Sequence, residues 1–552
     1  MQSQLRAHLP ISPNELQNLL RSPDALPVSH RPDLSGFISD AEHDIQAYEN
    51  QIEQTRMKQA LLRLDIARCS SVSSSIRRLP SELLQRIFAF ATKHNPSPFC
   101  SPPFPNIFGC QVEDKHIWSS VGFALARVCH RWREVALATP AVWSNFAFEE
   151  CERAIEPVRL CILRSSSHDI SFHITITDDG LPELTEMLLQ HAHRWSYFNV
   201  DGDQDGFLLR ASDMPKLTSA GFPCHGGLSS LLPKVTSKLE SATVGVSIDI
   251  NDVEEHLKEV RHLTMEHSDE YCLERILNIL PSCAPSLESL IIRGQLDIEG
   301  YTAASEHEPF GSYEDPILLP NLQILHIDLW REDGVYLHLK NLFPSLTLPS
   351  VQHIFIWGEC PNPDEPEFMD DWPRQEFHSF LLRSQPSRMV TLELTGMPLH
   401  DTDVIHILTS VPTLEELTLH EQWACVHAPK HSWKLVYPGV HATTMTVSET
   451  LLKRLTASAF SINVYAQERH PLVPKLKCFR LAVLHHFTAD IAFVEMAKSR
   501  WFTPNPGATE RLKEVSLTVL YRELDSKIYA PLKALERDGM MVTVMGNGSY
   551  IV

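Results

Sequence analysis

Residues 76–90, IRRLPSELLQRIFAF, and residues 124–146, ALARVCHRWREVALATPAVWSNF, are two halves of one pattern, and reading them decides how the chain is organised. Leu79-Pro80-Ser81-Glu82-Leu83 puts a proline at a helix start, where its missing N–H costs nothing. Glu82 then falls in the first turn, where the helix dipole favours a carboxylate. Leu79, Leu83, Ile87 and Phe90 recur at helical spacing, with Leu84, Phe88 and Ala91 as a second stripe. In the second half Val121, Leu125, Val128, Trp132 and Val135 keep one helical period until Pro140 stops it. Each predicted helix is amphipathic and too short to be stable alone.

These residues resemble the F-box. Leu79, Pro80, Glu82, Leu83, Ile87 and Phe88 match the family's opening, L-P-x-E-[IL]-x-x-x-[IL]-[FL]. Val128, Cys129, Trp132, Val135, Pro140 and Trp143 match its close, V-C-x-x-W-R followed by a proline and a tryptophan. The resemblance implies a helical module that docks the Skp adaptor of an SCF-type ubiquitin ligase and, through it, a cullin. It implies adaptor contacts by Leu79, Pro80, Glu82, Leu83, Ile87, Phe88, Val128, Cys129 and Trp132. The chain departs from the compact pattern over 94–117, where Pro96, Pro98, Pro102, Pro103 and Pro105 read as an exposed loop inserted into an F-box-like domain at 76–146.

Composition bounds the rest. A chain of 552 residues is too long for one compact core and is expected to divide or to form a repeat array. A net charge of −21 argues against nucleic acid as the main partner, because phosphate binding needs a basic surface. No apolar run approaches the roughly 20 residues of a membrane span, so no membrane association is expected. The opening MQSQLRAHLPISPNEL has no uninterrupted apolar segment of the secretory type. The twelve cysteines include no C-x-x-C pair and read as thiols of a reducing compartment. The expected location is the cytoplasm, the nucleus or both, and the Asn547-Gly548-Ser549 sequon is expected to be silent.

Residues 1–35 are dotted with prolines and read as a flexible leader. Over 36–69, Ile38, Ala41, Ile45, Tyr48, Ile52, Thr55, Leu62 and Ile66 fall on a heptad seam interrupted at Gln59, the mark of an amphipathic, coiled-coil-like helix. It either pairs with a second copy of itself or packs back on its own F-box. Polar residues at two successive seam positions, Thr55 and Gln59, favour a monomeric segment. Ser70 to Ser75 are expected to break this helix.

After the F-box the sequence repeats a unit of the form P-x-L-x-x-L-x-L. Pro285-Ser286-Leu287 running to Ile292, Pro320-Asn321-Leu322 to Ile327, Pro349-Ser350-Val351 to Ile356, Pro412-Thr413-Leu414 to Leu419 and Pro474-Lys475-Leu476 to Leu481 keep the proline. Further copies begin at Leu217, Leu239, Val260, Met389 and Leu512, with a degenerate one at Trp195. Their spacing runs from 21 positions (Leu239 to Val260) to 62 (Leu414 to Leu476). Helical patterns lie between them at Leu181–Ala192, Val253–Val260, Leu273–Leu280, Phe377–Leu382, Val404–Leu408, Leu451–Leu455 and Ile491–Met496. Short strands alternating with helices, none able to bury its own apolar face, predict an α/β stack of repeats over 155–552. It resembles a degenerate leucine-rich-repeat solenoid; a non-repetitive α/β domain is the alternative.

Strand alternation then picks the binding face. Leu325 and Ile327 point into the core, so His326 and Asp328 face outward, as do Arg293, Phe355, Trp357, Glu393, Thr418, His420 and Arg480. His326, Asp328, Phe355, Trp357, Glu393 and His420 are the candidate contacts for a substrate protein, with the aromatic pair as anchors. The loop 358–372 could equally cover that pair. The sequence contains no G-x-S-x-G, H-E-x-x-H, Walker or Rossmann motif. Asp201 to Gly206 is similar to a calcium loop but has Ser212 where the bidentate glutamate belongs. No catalytic residue, metal or cofactor is expected. The expected function is a non-enzymatic substrate adaptor. The rival is a free-standing interaction scaffold whose F-box-like helices cap the repeats; an enzyme assembled from dispersed residues is a third class.

Overall fold

In a computed structural model the described residues are 31–93, 118–149, 152–175, 182–201, 214–222, 238–245, 257–267, 272–296, 316–331, 335–358, 372–397, 399–421, 446–457, 471–502, 509–520, 522–547 and 549–551. The chain divides into two compact units, Met1–Arg86 and Ile87–Val552. No helix among the described residues is long and apolar enough to cross a membrane.

The first unit is dominated by a 43-residue helix, α1 (Arg31–Ser73). It starts inside the stretch expected to be leader and runs through most of the serine run expected to end it. The serines are accommodated because their hydroxyls bond back along the helix: Ser73 Oγ reaches the carbonyls of Cys69 (3.2 Å) and Ser70 (3.1 Å). The break comes at Ser74, which is extended at ψ 135°, and Arg77 Nε covers the released Ser71 carbonyl at 2.8 Å. A single 3-10 turn, Ser75–Arg78, leads to extended Leu79, and α2 (Ser81–Lys93) follows Pro80.

The second half of the F-box-like pattern is not the single helix expected. It is two, α3 (Val121–Val128) and α4 (His130–Leu137), separated by Cys129 in extended conformation at φ −163°. The break is stabilised because Arg133 Nε donates to the Ala126 carbonyl, 3.0 Å away, which would otherwise be orphaned at the end of α3. Residues 94–117, the expected inserted loop, lie outside the described residues.

Helices and strands then alternate in an α/β fold. The strands are β1 (Trp118–Ser119), β2 (Asn145–Glu149), β3 (Ile170–Thr175), β4 (Trp195–Asp201), β5 (Ser219–Phe222), β6 (Ser241–Gly245), β7 (His262–His267), β8 (Ser289–Leu296), β9 (Ile317–Leu318), β10 (Ile324–Arg331), β11 (Leu346–Thr347), β12 (His353–Gly358), β13 (Thr391–Thr395), β14 (Glu416–His420), β15 (Cys478–Val483), β16 (Glu514–Val519), β17 (Met541–Gly546) and β18 (Ser549–Tyr550). Sixteen form one sheet in strict chain order, with β9 and β11 paired apart from it. Fourteen of the sixteen run parallel; β1 and β18 close the two ends antiparallel.

The register places equivalent apolar residues side by side. Leu290, Leu325, Ile354, Leu392, Leu417, Phe479, Val515 and Val542 form one row, and Ile292, Ile327, Ile356, Leu394, Leu419, Leu481, Leu517 and Val544 the next. All are buried. At the other end the rows are aromatic: Phe146, Phe172 and Phe198 stack at 6.2 and 5.9 Å between ring centroids. One backbone device recurs where the repeats begin. The carbonyl before a strand accepts from two successive amides of the next repeat, as Glu288 does from Gln323 and Ile324, Gln323 from Gln352 and His353, and Gln352 from Val390 and Thr391.

The helices on the returning connections are α5 (Ile155–Arg164), α6 (Pro182–Leu189), α7 (Cys272–Cys283), α8 (Val335–Leu342), α9 (Arg374–Ser384), α10 (Asp401–Ser410), α11 (Glu449–Leu455), α12 (Asp490–Trp501) and α13 (Ser526–Arg537). Successive ones pack together, α9 on α10, α10 on α11, α11 on α12 and α12 on α13. Of the expected helical stretches, the first half of Val253–Val260 lies outside the described residues. Arg500 is fully buried on α12 and donates to the carbonyls of Leu455, Leu472 (2.6 Å) and Val473 (3.2 Å), tying α12 to the end of α11 and to the chain entering β15.

Trp143 pins the start of the sheet to the α3–α4 pair. Its indole donates to the Ala136 carbonyl at 2.7 Å, Phe123 meets it edge-on at 5.1 Å, and the Arg164 guanidinium lies 4.4 Å above the ring. Gly122 is required beneath it, since a Cβ there would fall 2.8 Å from Trp143 Cε3. Trp143→Ala should therefore cost about 3–5 kcal/mol, read as a lowered denaturant midpoint of the full chain; Gly122→Ala should lower it too.

Candidate functional site

Two surfaces carry the residues singled out in the sequence. The first is α2 with α3 and α4. Pro80 is exposed at the helix start and Leu79 half-buried just before it. Glu82 occupies the first turn. From there the helix splits into two faces. Leu84 and Phe88 are buried, Phe88 against Trp132 at 4.8 Å between ring centroids. Leu83 and Ile87 stand 44% exposed and Phe90 65%. Three large apolar side chains at i, i+4 and i+7 thus form an outward stripe on a short helix. Val128, 54% exposed, and half-buried Cys129 end α3. Asn145 Nδ2 donates to the Thr92 carbonyl at 3.2 Å, fixing the end of α2 to β2.

The second surface is the sheet face opposite the apolar rows. In register across β8 to β15 lie Ile291, His326, Phe355, Glu393, Thr418 and Arg480, and beside them Arg293, Asp328, Trp357, Thr395, His420 and Ala482. The structure therefore brings all six candidate contacts onto adjoining strands. They are less open than alternation alone implies: Asp328 and Thr418 are buried, and His326, Phe355, Trp357, Glu393 and His420 are half-buried. Parallel neighbours only ~4.8 Å apart screen one another's side chains. The loop proposed to cover the aromatic pair falls on 359–371, outside the described residues.

His326 is the centre of this cluster. Its ring meets Trp357 at 4.5 Å, nearly perpendicular, and Phe355 at 5.6 Å. Burial, aided by the Arg293 guanidinium, pushes its pKa down to about 4, so the imidazole is neutral at physiological pH. Its Nε2 is buried without a hydrogen-bond partner among the described residues. Arg293 approaches Asp328 at 3.9 Å. Burial raises the Glu393 carboxyl, opposed by the Trp357 indole N–H and by Arg480. Thr395 Oγ1 lies 3.4 Å from His420 Nδ1. The arrangement offers an aromatic patch with a neutral imidazole and polar groups around it, suited to holding a side chain rather than to moving a proton.

Sequence reading missed the anchor at the edge of this face. Arg480 is held by Glu514 at 2.6 and 2.8 Å and lies 3.7 Å from Glu416, so the one cation of its row is already neutralised. The signal was available: Glu416 and Glu514 occupy equivalent positions in the two repeats that flank it. Among the described residues no cluster of three His, Cys, Asp or Glu side chains is arranged to hold a metal ion.

No protein-family model matches the chain, and no curated protein matches it. The two surfaces must speak through their own chemistry.

The depressed His326 pKa sets a pH dependence. A base whose folded pKa lies below its ordinary 6.5 binds fewer protons folded than unfolded, so stability is full above 6.5 and falls as pH drops toward about 4. With the partial exposure of the ring allowed for, the loss should be on the order of 2 kcal/mol. Urea midpoints of the full chain across that range should show it, and His326→Phe should flatten the profile.

Proposed function

We propose that the chain is a substrate-recognition adaptor of an SCF-type ubiquitin ligase, with no catalytic step of its own. In this reading residues 76–146 form an F-box that docks a Skp adaptor and, through it, a cullin, and the strand–helix repeats form a leucine-rich-repeat-like solenoid that holds the protein to be ubiquitinated. The observation that carries it is the apolar stripe Leu83, Ile87 and Phe90, left exposed on the helix that opens with the L-P-x-E-L sequence. A short amphipathic helix keeps such a stripe in water only against the hydrophobic driving force, and partner helices are its natural cover. Phe88 and Trp132 support the reading by packing together beneath, so that the stripe rests on a fixed base.

The His326 cluster is the proposed substrate face. It combines what interface centres use, aromatic side chains with polar groups around them, on strands that do not need to move. The net charge of −21 favours approach of a target with basic character, steering encounter more than selecting it. Cytoplasm and nucleus are the compartments in which such a ligase works.

A second reading, a scaffold whose helices only cap the repeats, draws on the bonds from Asn145 to Thr92 and from Trp143 to Ala136, which fasten these helices to the first strands. Native pull-down separates the two. Leu83→Ala with Ile87→Ala should remove Skp and cullin peptides, each truncation costing about 2 kcal/mol of binding, while the unfolding midpoint stays put. Retention of Skp by that variant, or its absence from the parent, would leave the cap. Phe355→Ser with Trp357→Ser should spare Skp and remove one set of co-purifying proteins; an unchanged set would move the substrate face off these strands and onto the connection from Leu419 to Leu476.

A further inference from the structure

The long helix α1 has a chemistry of its own, independent of the ligase reading. Along it Ile38, Ile45, Ile52, Leu62 and Ile66 are each more than half exposed, and Tyr48 is 40% exposed. They lie on the heptad seam whose a-type positions are Ile38, Ile45, Ile52, Gln59 and Ile66 and whose d-type positions are Ala41, Tyr48, Thr55, Leu62 and Cys69. A seam of that length exceeds the three to four heptads a coiled coil needs. At mid-helix Tyr48, Gln51, Ile52, Thr55, Arg56 and Gln59 line a shallow groove, the shape a knob from a second helix fills.

The charges beside the seam say which second helix. One flank carries Glu42, Glu49, Arg56 and Arg63 at seven-residue intervals, acidic in its first half and basic in its second. We propose that two copies of the chain pair antiparallel through residues 38–69. In the register that sets Ile45 against the partner's Leu62, this flank meets itself with Glu42 beside Arg63 and Glu49 beside Arg56, twice each by symmetry. The same register resolves the two polar seam positions that favoured a monomer when the seam was read alone. Gln59 falls opposite Tyr48, amide against hydroxyl, a polar layer of the kind that fixes register. Thr55 falls opposite Ile52, with its hydroxyl already spent on the Gln51 carbonyl at 2.7 Å. A parallel pair is poorer: it stacks Gln59 on Gln59 and sets Asp44 near Glu49 and Lys58 near Arg63, like charges each time. The antiparallel pair also has two like-charge contacts, Asp44 with Asp65 and its symmetry mate, against its four Glu–Arg contacts; Arg68, 3.4 Å from Asp65, softens them. Met57, Leu61 and Leu64 lie off the seam and stay exposed in the pair.

Sedimentation of the full chain at micromolar concentration tests this, with circular dichroism to confirm that helix content is kept. The parent should sediment at twice 62.6 kDa. Glu42→Arg with Glu49→Arg makes the flank wholly basic, and Arg56→Glu with Arg63→Glu makes it wholly acidic; each variant alone should be monomeric. Mixed in equal amounts, the two should return to the dimer mass, since every flank contact is again Glu with Arg. That rescue also separates lost pairing from lost folding. A monomeric parent, a charge variant that stays dimeric, or a mixture that does not re-pair would each overturn the proposal.

Discussion

Every strand of the large sheet depends on its neighbour to cover it. A strand such as Ile324–Arg331 turns Leu325 and Ile327 inward, and both are fully buried. Cover comes from Leu290 and Ile292 on one side and from Ile354 and Ile356 on the other, in register. The paired amides that bond each pre-strand carbonyl, as Gln352 and His353 do to Gln323, hold that register before the strand begins. A one-residue slip would turn the apolar rows outward and the His326 row inward. The candidate binding face is thus fixed by the same constraint that builds the core.

That dependence explains what the sequence disclosed and what it hid. Strands β8, β10, β12, β14 and β15 follow a P-x-L or P-x-V signature, because the proline and the buried Leu287, Leu322, Val351, Leu414 or Leu476 make the turn into each strand. Strands β2, β3 and β17 lack that lead-in and were not anticipated, although Phe146, Phe172 and Val544 play the same inward role. Helices α5, α8 and α13 were not anticipated either. Helix α8 has eight residues, and α13 carries an internal Pro531 that reads as a breaker but sits where Tyr529, Leu532 and Leu535 are buried. The F-box-like half-patterns were legible as helices, yet the extended Cys129 between α3 and α4 was not, since nothing in V-C-H-R announces that Arg133 will reach back to Ala126.

The polar side of the sheet was legible in direction but not in degree. Alternation gives which way His326 or Thr418 points; it does not give how far neighbours at equivalent positions screen it. Asp328 is buried beside Arg293, and His326 loses its proton affinity because Trp357, Phe355 and Arg293 surround it. Such a face is rigid and largely self-paired. His326 Nε2, buried without a hydrogen-bond partner among the described residues, leaves the imidazole held by ring contacts with Trp357 and Phe355.

The distribution of exposed apolar side chains points the same way. Among the described residues, fifteen of the twenty-two large apolar side chains that remain exposed precede residue 140, from Ile38 to Leu137. The described residues beyond it, though far more numerous, hold the other seven, widely spaced in sequence from Leu163 to Tyr550. A repeat sheet that buries its apolar rows completely has no need of a partner for stability. Helices α1 and α2 are different: α1 leaves its seam and α2 its Leu83, Ile87 and Phe90 stripe in solvent, at a cost of about 25 cal/mol for each square ångström of apolar surface left uncovered. The division of labour is therefore written in hydrophobic exposure. The strands present a preformed, mostly polar face, and helices α1 and α2 before them present the exposed apolar surfaces.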